Sequence, residues 1–553
     1  MQAASAKPNL LFIFLCLLTV AVYYPGLSGD YMFDDMQNLL LNNRLELDTL
    51  DLTSLQAASL SSGSGTLRRP VSMASFALNR YFFGIAPYSH KVVNLSIHIL
   101  TGICLLLLGR LILKSYREYR NPGLSPAAIT WLPVIVSGLW LVHPLNLTSV
   151  LYIVQRMTSL AALFTVLGLC CYTIGRHRQL GDKPGWIWIM TGLFVFGGLA
   201  VLSKENGALL PLYMLVLEIT LFRFRDAGGR LDRKIAAFFL LFLLIPVFGF
   251  LFWLIQKPGP FLGGYLNRDF TLTERVLTET RVLLFYLKQI LIPSVAELGL
   301  YHDDITISRG LLNPVTTVFS VISLIFILVT ALLLTRRTPL ISLGILWFFA
   351  GHTLESTILP LEIAHEHRNY LADYGILLAA GAAVLQLGKA MHITYIQTLT
   401  PVLFICLFAY TTWVRAGQWS DNVTHAVFEA THHPESPRAL LSAGRIHARL
   451  AINGRKESIE SAFRYLERAS EIDQSGILPE VVMIKLASIL ELPVDKEWYN
   501  IVINKLEYPI DAAKINALHI LGECQWSACD TPQQTMEIIY QTTLNNNSLQ
   551  GAE

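Results

Sequence analysis

The sequence predicts an all-α, polytopic membrane protein with a soluble helical domain at its C-terminal end. Of the 553 residues, 53% are apolar and only 15% are charged, whereas a soluble chain carries about 25% charged residues. The apolar residues lie in runs that end near residue 414, and the remainder has the composition of a water-soluble domain. This pattern excludes a single soluble core, a disordered chain and a fibrous protein. The net charge of +2 argues against a nucleic-acid binder.

Each membrane span is predicted from the length of its apolar run, because a transmembrane helix needs about 20 mostly apolar residues. Eleven runs of roughly this length are present, at 9–27, 91–113, 127–143, 157–174, 186–202, 206–222, 235–255, 312–335, 339–355, 371–388 and 394–414. The first run has the flanks of a signal peptide, but the ten runs that follow favour a first transmembrane helix. Lys and Arg residues concentrate in every second loop, which predicts a cytoplasmic N-terminus and a C-terminal domain outside.

This topology predicts two domains. Residues 1–415 form the membrane domain, with outer loops at 28–90 and 256–311, and residues 280–293 are predicted to lie on its outer face as an interfacial helix. Residues 416–553 form an outer helical domain, in which Ser436 is a candidate N-cap. Two antiparallel helices within about 34 residues fit one tetratricopeptide-like (TPR-like) unit. A generic helical cap on the membrane domain is the alternative.

The scarce ionisable residues of the membrane domain gather in clusters that this topology places on the outer side. Such groups are costly at membrane depth and mark functional sites by default, although a single one is more often a helix-end residue that snorkels to the surface. The candidate site residues drawn from these clusters are Asp34, Asp35, Arg69, His90, His143, Arg156, Lys204, Glu205, Glu355, Glu366, His367, Arg368 and Tyr370.

The residue types in these clusters narrow the chemistry. Paired carboxylates at Asp34 and Asp35 suit a general base that activates a hydroxyl group, and scattered cations suit an anionic phosphate. Together they predict transfer of a group from a lipid phosphate at the membrane boundary. The sequence contains no Walker loop, dinucleotide glycine motif or Gly-x-Ser-x-Gly elbow that would indicate a soluble nucleotide or an acyl-enzyme.

We predict no metal cofactor from the sequence, although a divalent cation is compatible with it. His365-Glu366-His367 lacks the second His of a zincin helix, because position 369 is Asn. His302, Asp303 and Asp304 are weaker candidates, since three adjacent residues rarely converge on one ion.

The order and spacing of several short motifs resemble those of the transmembrane-and-tetratricopeptide-repeat (TMTC) O-mannosyltransferases and their bacterial relatives, within the GT-C glycosyltransferase superfamily. The resemblance covers roughly residues 9–415, and each motif alone is weak whereas the ordered set is specific. The motifs are Phe33-Asp34-Asp35, Leu39-Leu40-Leu41-Asn42-Asn43, Arg69-Pro70, Asn79-Arg80-Tyr81, His90-Lys91-Val92-Val93-Asn94, His143-Pro144, Gln155-Arg156, Leu202-Ser203-Lys204-Glu205 and Glu366-His367-Arg368-Asn369-Tyr370-Leu371.

The resemblance implies a polyprenyl-phosphate-linked sugar as donor and an acidic residue of the first outer loop as general base. Asp34 matches the first acid of the family's pair and is therefore preferred over Asp35. The implied holders of the lipid phosphate are Arg156, Lys204 and Arg368, and the residues implied to orient donor or acceptor are His90, His143 and His367. Relatives often carry Gly-Arg-Ala where this chain has Gln155-Arg156-Met157, which leaves the sugar preference open.

The predicted function is therefore sugar transfer to a hydroxyl of a secreted or pilin-like protein, or of a glycan, at the outer face of a bacterial inner membrane. One alternative is a polymerase or ligase acting on lipid-linked oligosaccharide, although such enzymes usually rely on an arginine-rich outer loop. A second is a non-catalytic assembly factor that recruits partners through its helical tail. A transporter is disfavoured, because it predicts charges at the membrane midplane in matched halves.

Overall fold

The computed structural model describes residues 2–266, 268–393, 395–472, 476–507, 512–527 and 533–545. These described residues form helices and connecting loops, with two isolated β-bridges and no sheet. The predicted all-α class is confirmed.

The helices up to residue 418 alternate with the loops that carry the polar clusters. In chain order they are α1 Gln2–Tyr23, α2 Leu52–Ser59, α3 Pro70–Phe83, α4 Pro87–Tyr119, α5 Pro126–Leu141, α6 Leu147–Leu151, α7 Arg156–Leu180, α8 Trp186–Met190, α9 Gly197–Ser203, α10 Leu210–Leu217, α11 Arg233–Phe239, α12 Ile245–Gln256, α13 Gly259–Leu262, α14 Leu272–Leu291, α15 Thr316–Leu333, α16 Pro339–His352, α17 Ala372–Ala390 and α18 Ile396–Gln418.

The chain is a multi-pass membrane protein. Within the described residues, 8 helical segments are long and apolar enough to cross a membrane, or 9 if the bent pair Pro126–Leu141 and Pro144–Leu151 is one span. The prediction of eleven spans is therefore not confirmed. The run at 339–355 becomes α16, whose 14 residues reach only about 21 Å. The run at 371–388 becomes α17, in which Asp373, Gln386 and Lys389 dilute the apolar sequence.

Helices α16 and α17 pack backbone to backbone. A Cβ on Gly344 would lie 2.1 Å from the Gly375 carbonyl oxygen, and a Cβ on Gly375 would lie 2.5 Å from the Gly344 oxygen. Only glycine fits at both positions, as is common where membrane helices approach closely. This contact fixes the turn between the two helices, residues 353–371, which carries one of the predicted polar clusters.

The chain divides into two compact units. The first comprises Met1–Phe261, Leu272–Leu298 and Ile307–Asp421, and the second comprises Leu262–Thr271, Gly299–Thr306 and Asn422–Glu553. The second unit therefore takes two short segments from the predicted loop 256–311 in addition to the C-terminal region.

The C-terminal region of the second unit is helical throughout its described residues. Its helices are α19 Asn422–His432, α20 Pro437–Ile452, α21 Ser458–Ser470, α22 Leu478–Ile489, α23 Lys496–Leu506, α24 Ala512–Ser527 and α25 Gln533–Asn545. The predicted N-cap is confirmed, because the Ser436 hydroxyl accepts a hydrogen bond from the Ala439 N–H. The α20–α21 pair matches the predicted helical hairpin, and its assignment as a TPR-like unit stays a prediction.

Candidate active site

The two acids of the first loop have different environments. Asp35 is 1% exposed, and its carboxylate oxygens accept hydrogen bonds from Val154 N–H at 2.7 Å and Met32 N–H at 3.2 Å. Asp34 is exposed, and its own N–H donates to the Tyr152 hydroxyl at 3.0 Å. Asp35 thus anchors the loop just before α7, and this anchor presents the Asp34 carboxylate at the surface.

The backbone at this acidic pair is strained. Phe33, immediately before Asp34, has φ 42°, a left-handed conformation that is uncommon for a bulky residue. Such strain persists only where surrounding contacts hold it, and it concentrates at functional sites. Burial raises the pKa of the Asp35 carboxyl to about 7, against the opposing effect of the hydrogen bonds from the Val154 and Met32 amides.

Lys204 follows α9 directly, and its side chain contacts the first turn of α7. Its Nζ is 3.0 Å from Thr158 Oγ1 and 3.0 Å from Glu355 Oε1. Burial lowers the pKa of Lys204, although the charge of Glu355 opposes this effect. Burial alone would raise the pKa of Glu355, but the positive charges of Lys204 and Arg368 outweigh it and lower this pKa to about 2. Glu355 is therefore ionised at neutral pH.

The first loop is clamped to the turn between α9 and α10. Arg69 pairs with Glu205 at 3.0 Å, and the Ser72 hydroxyl donates to the Ser203 carbonyl at 2.9 Å. Gly65 has φ +74°, and a Cβ there would lie 1.9 Å from Glu205 Oε1, so this close approach requires glycine. The clamp brings Arg69 beside Lys204, and the Arg69 side chain keeps 20% of its surface exposed.

Two buried arginines shape the turn between α16 and α17. Arg368 donates to the Ile363 carbonyl at 2.8 Å and to the Glu362 carbonyl at 2.5 Å. Arg275 donates to the Glu355 carbonyl at 2.8 Å. Glu279 lies between the two cations, 2.8 Å from Arg275 and 3.6 Å from Arg368. Burial raises the pKa of Glu279 to about 7, and the charges of the two arginines act against this shift.

Arg275 and Glu279 were missed at the sequence level, where only 280–293 was taken as a helix. The helix instead begins at Leu272 and buries one face that includes both charged residues. The available signal was the spacing of Arg275, Glu279, Val282 and Tyr286, which places all four side chains on one helical face. Charged residues in line with apolar ones on such a face indicate a buried ion pair.

A small cavity of about 30 Å³ lies beside the Lys204–Glu355 pair. Thr158, Asn206, His367 and Arg368 are among its lining residues. Burial, together with the neighbouring Lys204 charge, lowers the pKa of His367 well below its usual value, so this imidazole is neutral. The cavity has room for about two water molecules.

One stretch of chain, from Tyr152 to Thr158, contacts both the Asp34–Asp35 pair and Lys204. Tyr152 and Val154 hold the Asp34–Asp35 pair, whereas Thr158 holds Lys204. These contact points are separated by roughly 10 Å of helix. The loop that carries the exposed Asp34 carboxylate and the buried Lys204 ammonium are therefore both held by this short stretch of chain.

Other predicted site residues make structural contacts. Arg156 is buried and donates to Asn94 and Asn79 side chains at 2.6 and 2.7 Å, and to the Ser75 and His90 carbonyls at 3.1 and 3.0 Å. Its donors are therefore directed at protein acceptors, an arrangement that differs from the predicted phosphate contact. Arg156 ties the first loop to α4.

The remaining candidates lie deeper in the helical unit. The His143 ring contacts the Ile290 carbonyl at 3.0 Å, Glu366 forms a buried ion pair with Arg415 at 2.9 Å, and the Tyr370 hydroxyl contacts His98 at 2.9 Å. His90 stacks on Phe76, with ring centroids 6.4 Å apart. Of these candidates, Tyr370 also lines the cavity described above. His302, Asp303 and Asp304 belong to the second unit.

The chain is similar in sequence to known protein O-mannosyl-transferases. It is 29% identical to TMTC4 of Mus musculus over 205 residues, which cover 35% of this chain and 27% of that protein. It is 26% identical to TMTC2 of Homo sapiens over 285 residues, 49% of this chain and 32% of the relative. It is 24% identical to F38B6.6 of Caenorhabditis elegans over 430 residues, 74% of this chain and 56% of the relative.

These alignments span about a quarter to a little over half of the relatives' lengths. No family model matches the chain, and no solved structure matches it. Over parts of its length, the chain is a distant homologue of the TMTC protein O-mannosyltransferases, a GT-C family.

Proposed function

We propose that this protein is a membrane glycosyltransferase that moves a sugar from a polyprenyl-phosphate donor to a hydroxyl of a protein acceptor on the outer face of the membrane. The observation that carries the proposal is that one stretch, Tyr152 to Thr158, contacts both the backbone of the exposed Asp34 and the buried Lys204 ammonium. The name of the relatives makes mannose the first sugar to test.

In the proposed reaction the acceptor oxygen bonds to the anomeric carbon while the bond from that carbon to the phosphate oxygen breaks. The acceptor proton passes to Asp34, and the polyprenyl phosphate leaves with the bonding electron pair. Asp34 suits the role of base better than Asp35, because both Asp35 oxygens are directed at backbone N–H groups and its burial keeps it from an acceptor.

Lys204 suits the role of phosphate partner. An ammonium has three N–H donors, and among the described residues its Nζ contacts two, Thr158 and Glu355. A fixed cation in a water-poor site stabilises the charge that grows on the leaving phosphate without any cost of reorganisation. Arg69 and Arg368 add positive charge nearby, and Arg156 acts as a positioning residue.

The test uses the full chain in proteoliposomes with a labelled polyprenyl-phosphate mannose and a serine- and threonine-containing acceptor peptide. We expect Asp34→Asn to lower the transfer rate by about 10²–10⁴-fold, the usual contribution of a general base. Asp30→Asn is the matched control, because Asp30 is an exposed acid of the same loop, and it should keep wild-type transfer.

Full transfer by Asp34→Asn would exclude Asp34 as the base. Transfer lost in Asp35→Asn but kept in Asp34→Asn would move the role to the buried acid. A wild-type protein that leaves the donor untouched, and instead extends a lipid-linked oligosaccharide, would favour the polymerase alternative. Inactivity toward both donors would favour an assembly factor.

A further inference from the structure

The second unit contains a short segment, residues 299–306, that is fixed against its C-terminal helices. Glu429 on α19 accepts hydrogen bonds from the Leu300 N–H at 3.0 Å and the Tyr301 N–H at 3.4 Å. Asp303 accepts hydrogen bonds from the Arg438 N–H at 3.2 Å and from the Ser436 hydroxyl, at the start of α20. These contacts set the direction of the side chains on either side of Asp303.

Because Asp303 is directed at the start of α20, the three adjacent residues 302–304 do not converge on one point. A different set does converge, His302 and Asp304 with His433, which follows α19 in the sequence. One ligand atom from each of the three lies within 4.8 Å of the other two. His433 Nδ1 is 2.8 Å from an Asp304 oxygen, and the two imidazole rings are 5.6 Å apart at 90°.

We propose that His302, Asp304 and His433 bind a zinc-class divalent metal ion. Two imidazoles and one carboxylate are a donor set that zinc accepts, with bonds of about 2.0–2.2 Å. Tetrahedral bonds of this length place ligand atoms about 3.3 Å apart, compared with 2.8 Å between His433 and Asp304 and an upper limit of 4.8 Å for the whole set. Calcium and magnesium prefer oxygen donors, which are the minority here.

The surroundings of the three residues are those of a metal-binding pocket rather than of a surface cluster. His302 is 6% exposed and His433 is 5% exposed. The position that a Cβ on Gly299 would take is 2.6 Å from Glu429 Oε2 and 3.0 Å from His433 Nε2, so both side chains approach the Gly299 backbone. Glu429 is thereby held beside the His433 ring, where a carboxylate orients a metal-binding imidazole.

The ion would join two stretches of chain that are 129 residues apart in sequence. Three protein ligands leave a fourth position open to water or to a group on a bound partner. The site is independent of the proposed sugar transfer, because none of its residues belongs to the Asp34–Lys204 region.

The test measures zinc bound to the full-length protein, purified in detergent with a histidine-free tag, stripped of metal and titrated with Zn²⁺ alone. We expect one Zn²⁺ per wild-type chain and loss of stoichiometric binding in His433→Gln and in Asp304→Asn. His432→Gln is the matched control, because His432 is the adjacent histidine and is exposed, and it should keep one Zn²⁺.

Cobalt substitution gives a second measurement, because the visible absorption of Co²⁺ reports its ligands rather than the fold. The wild-type protein and His432→Gln should give a four-coordinate spectrum, and Asp304→Asn should not. Absence of stoichiometric zinc in the wild-type protein would overturn the proposal. Equal zinc binding by the wild-type protein and by a folded His433→Gln or Asp304→Asn would overturn it as well.

Discussion

Two of the buried ionic clusters in the first unit differ in whether their charges are fully engaged. The Glu218 cluster consists of Tyr172, Arg176, Glu218 and Asp232. Glu218 Oε1 accepts from the Tyr172 hydroxyl and from Arg176 Nε, both at 2.6 Å, and Oε2 accepts from the Phe224 N–H at 2.9 Å. Both Glu218 carboxylate oxygens therefore accept hydrogen bonds from protein groups.

The Lys204 cluster consists of Lys204, Glu355, Thr158 and Arg368. It lies roughly 20 Å from Glu218 along the span that begins at Glu205, borders a cavity and is flanked by the partly exposed Arg69–Glu205 pair. Buried charge alone therefore does not indicate function. The two clusters differ in whether a cation retains N–H donors and has space beside it for a ligand. Of the two, the Lys204 cluster meets that condition.

The largest expected effect is a loss of stability when the Glu218 cluster is broken. Glu218→Gln leaves Arg176 buried without its main counter-charge, which costs about 3–5 kcal/mol when one partner of a buried pair is removed. We expect the free energy of unfolding in mixed micelles to fall by this amount, while sugar transfer per folded molecule stays at the wild-type level.

The control for this prediction removes both charges. Arg176→Met combined with Glu218→Met replaces the pair with apolar side chains and should recover most of the lost stability, since buried pairs are often replaceable in this way. If Glu218→Gln unfolds no more easily than the wild-type protein, the Glu218 cluster contributes nothing to stability. The contrast between the Glu218 and Lys204 clusters then fails.

The next largest expected effect is a loss of activity when the Lys204 cluster is changed. Lys204→Met removes the cation that we propose for the leaving phosphate, and such removals cost about 10²–10³-fold in rate. The stability loss should be smaller than for Glu218→Gln, because the positive charge of Arg368 remains near Glu355. Transfer rates in proteoliposomes and unfolding curves on the same preparation separate the two quantities.

A matched control is Glu46→Gln, which breaks the Arg80–Glu46 pair at 2.9 Å in the same loop. Glu46 is 64% exposed, so both rate and stability should stay near wild type. Wild-type transfer by Lys204→Met would contradict the phosphate role and leave the two clusters functionally alike.

The helices were predictable from the sequence because run length and apolar composition are local properties. The Ser436 cap was predictable for the same reason, since a cap depends on three consecutive peptide units. The number of spans was not, because α16 is too short and α17 too polar to qualify by composition, and only packing through Gly344 and Gly375 explains their positions.

The sequence indicates candidate site residues but not which of them contact one another. Lys204 and Glu355 meet across 151 positions of sequence, and no local pattern encodes that contact. Arg176 lies just after the predicted span 157–174, where a basic residue indicates a loop, whereas its guanidinium is fully buried against Glu218. Arg156 is the opposite case. As an arginine it was predicted to contact a phosphate, but in the fold it donates to protein acceptors.

The smallest expected effect is a change of stability with pH at Asp35, a buried carboxyl group that titrates near neutral pH. Burial raises the pKa of Asp35 from 3.8 to about 7. The fold therefore favours the protonated acid, and this stabilisation is complete below pH 3.8 and is lost as the pH rises through 7. At about 1.4 kcal/mol per pH unit, wild-type stability should fall by about 2 kcal/mol relative to Asp35→Asn between pH 5 and 7.

Comparing slopes rather than absolute stabilities isolates this titration, because the amide of Asp35→Asn stays neutral while every other group titrates equally in both proteins. Asp51→Asn is the control. The hydroxyl of Thr49 and then the Ser54 N–H lower the pKa of Asp51 to about 2, so its titration lies below this pH range. Parallel curves for the wild-type protein and Asp35→Asn would show that Asp35 is ionised in the fold at pH 5. Asp35 would then resemble the fully bonded Glu218 carboxylate, and only Asp34 and the Lys204 cluster would stand apart.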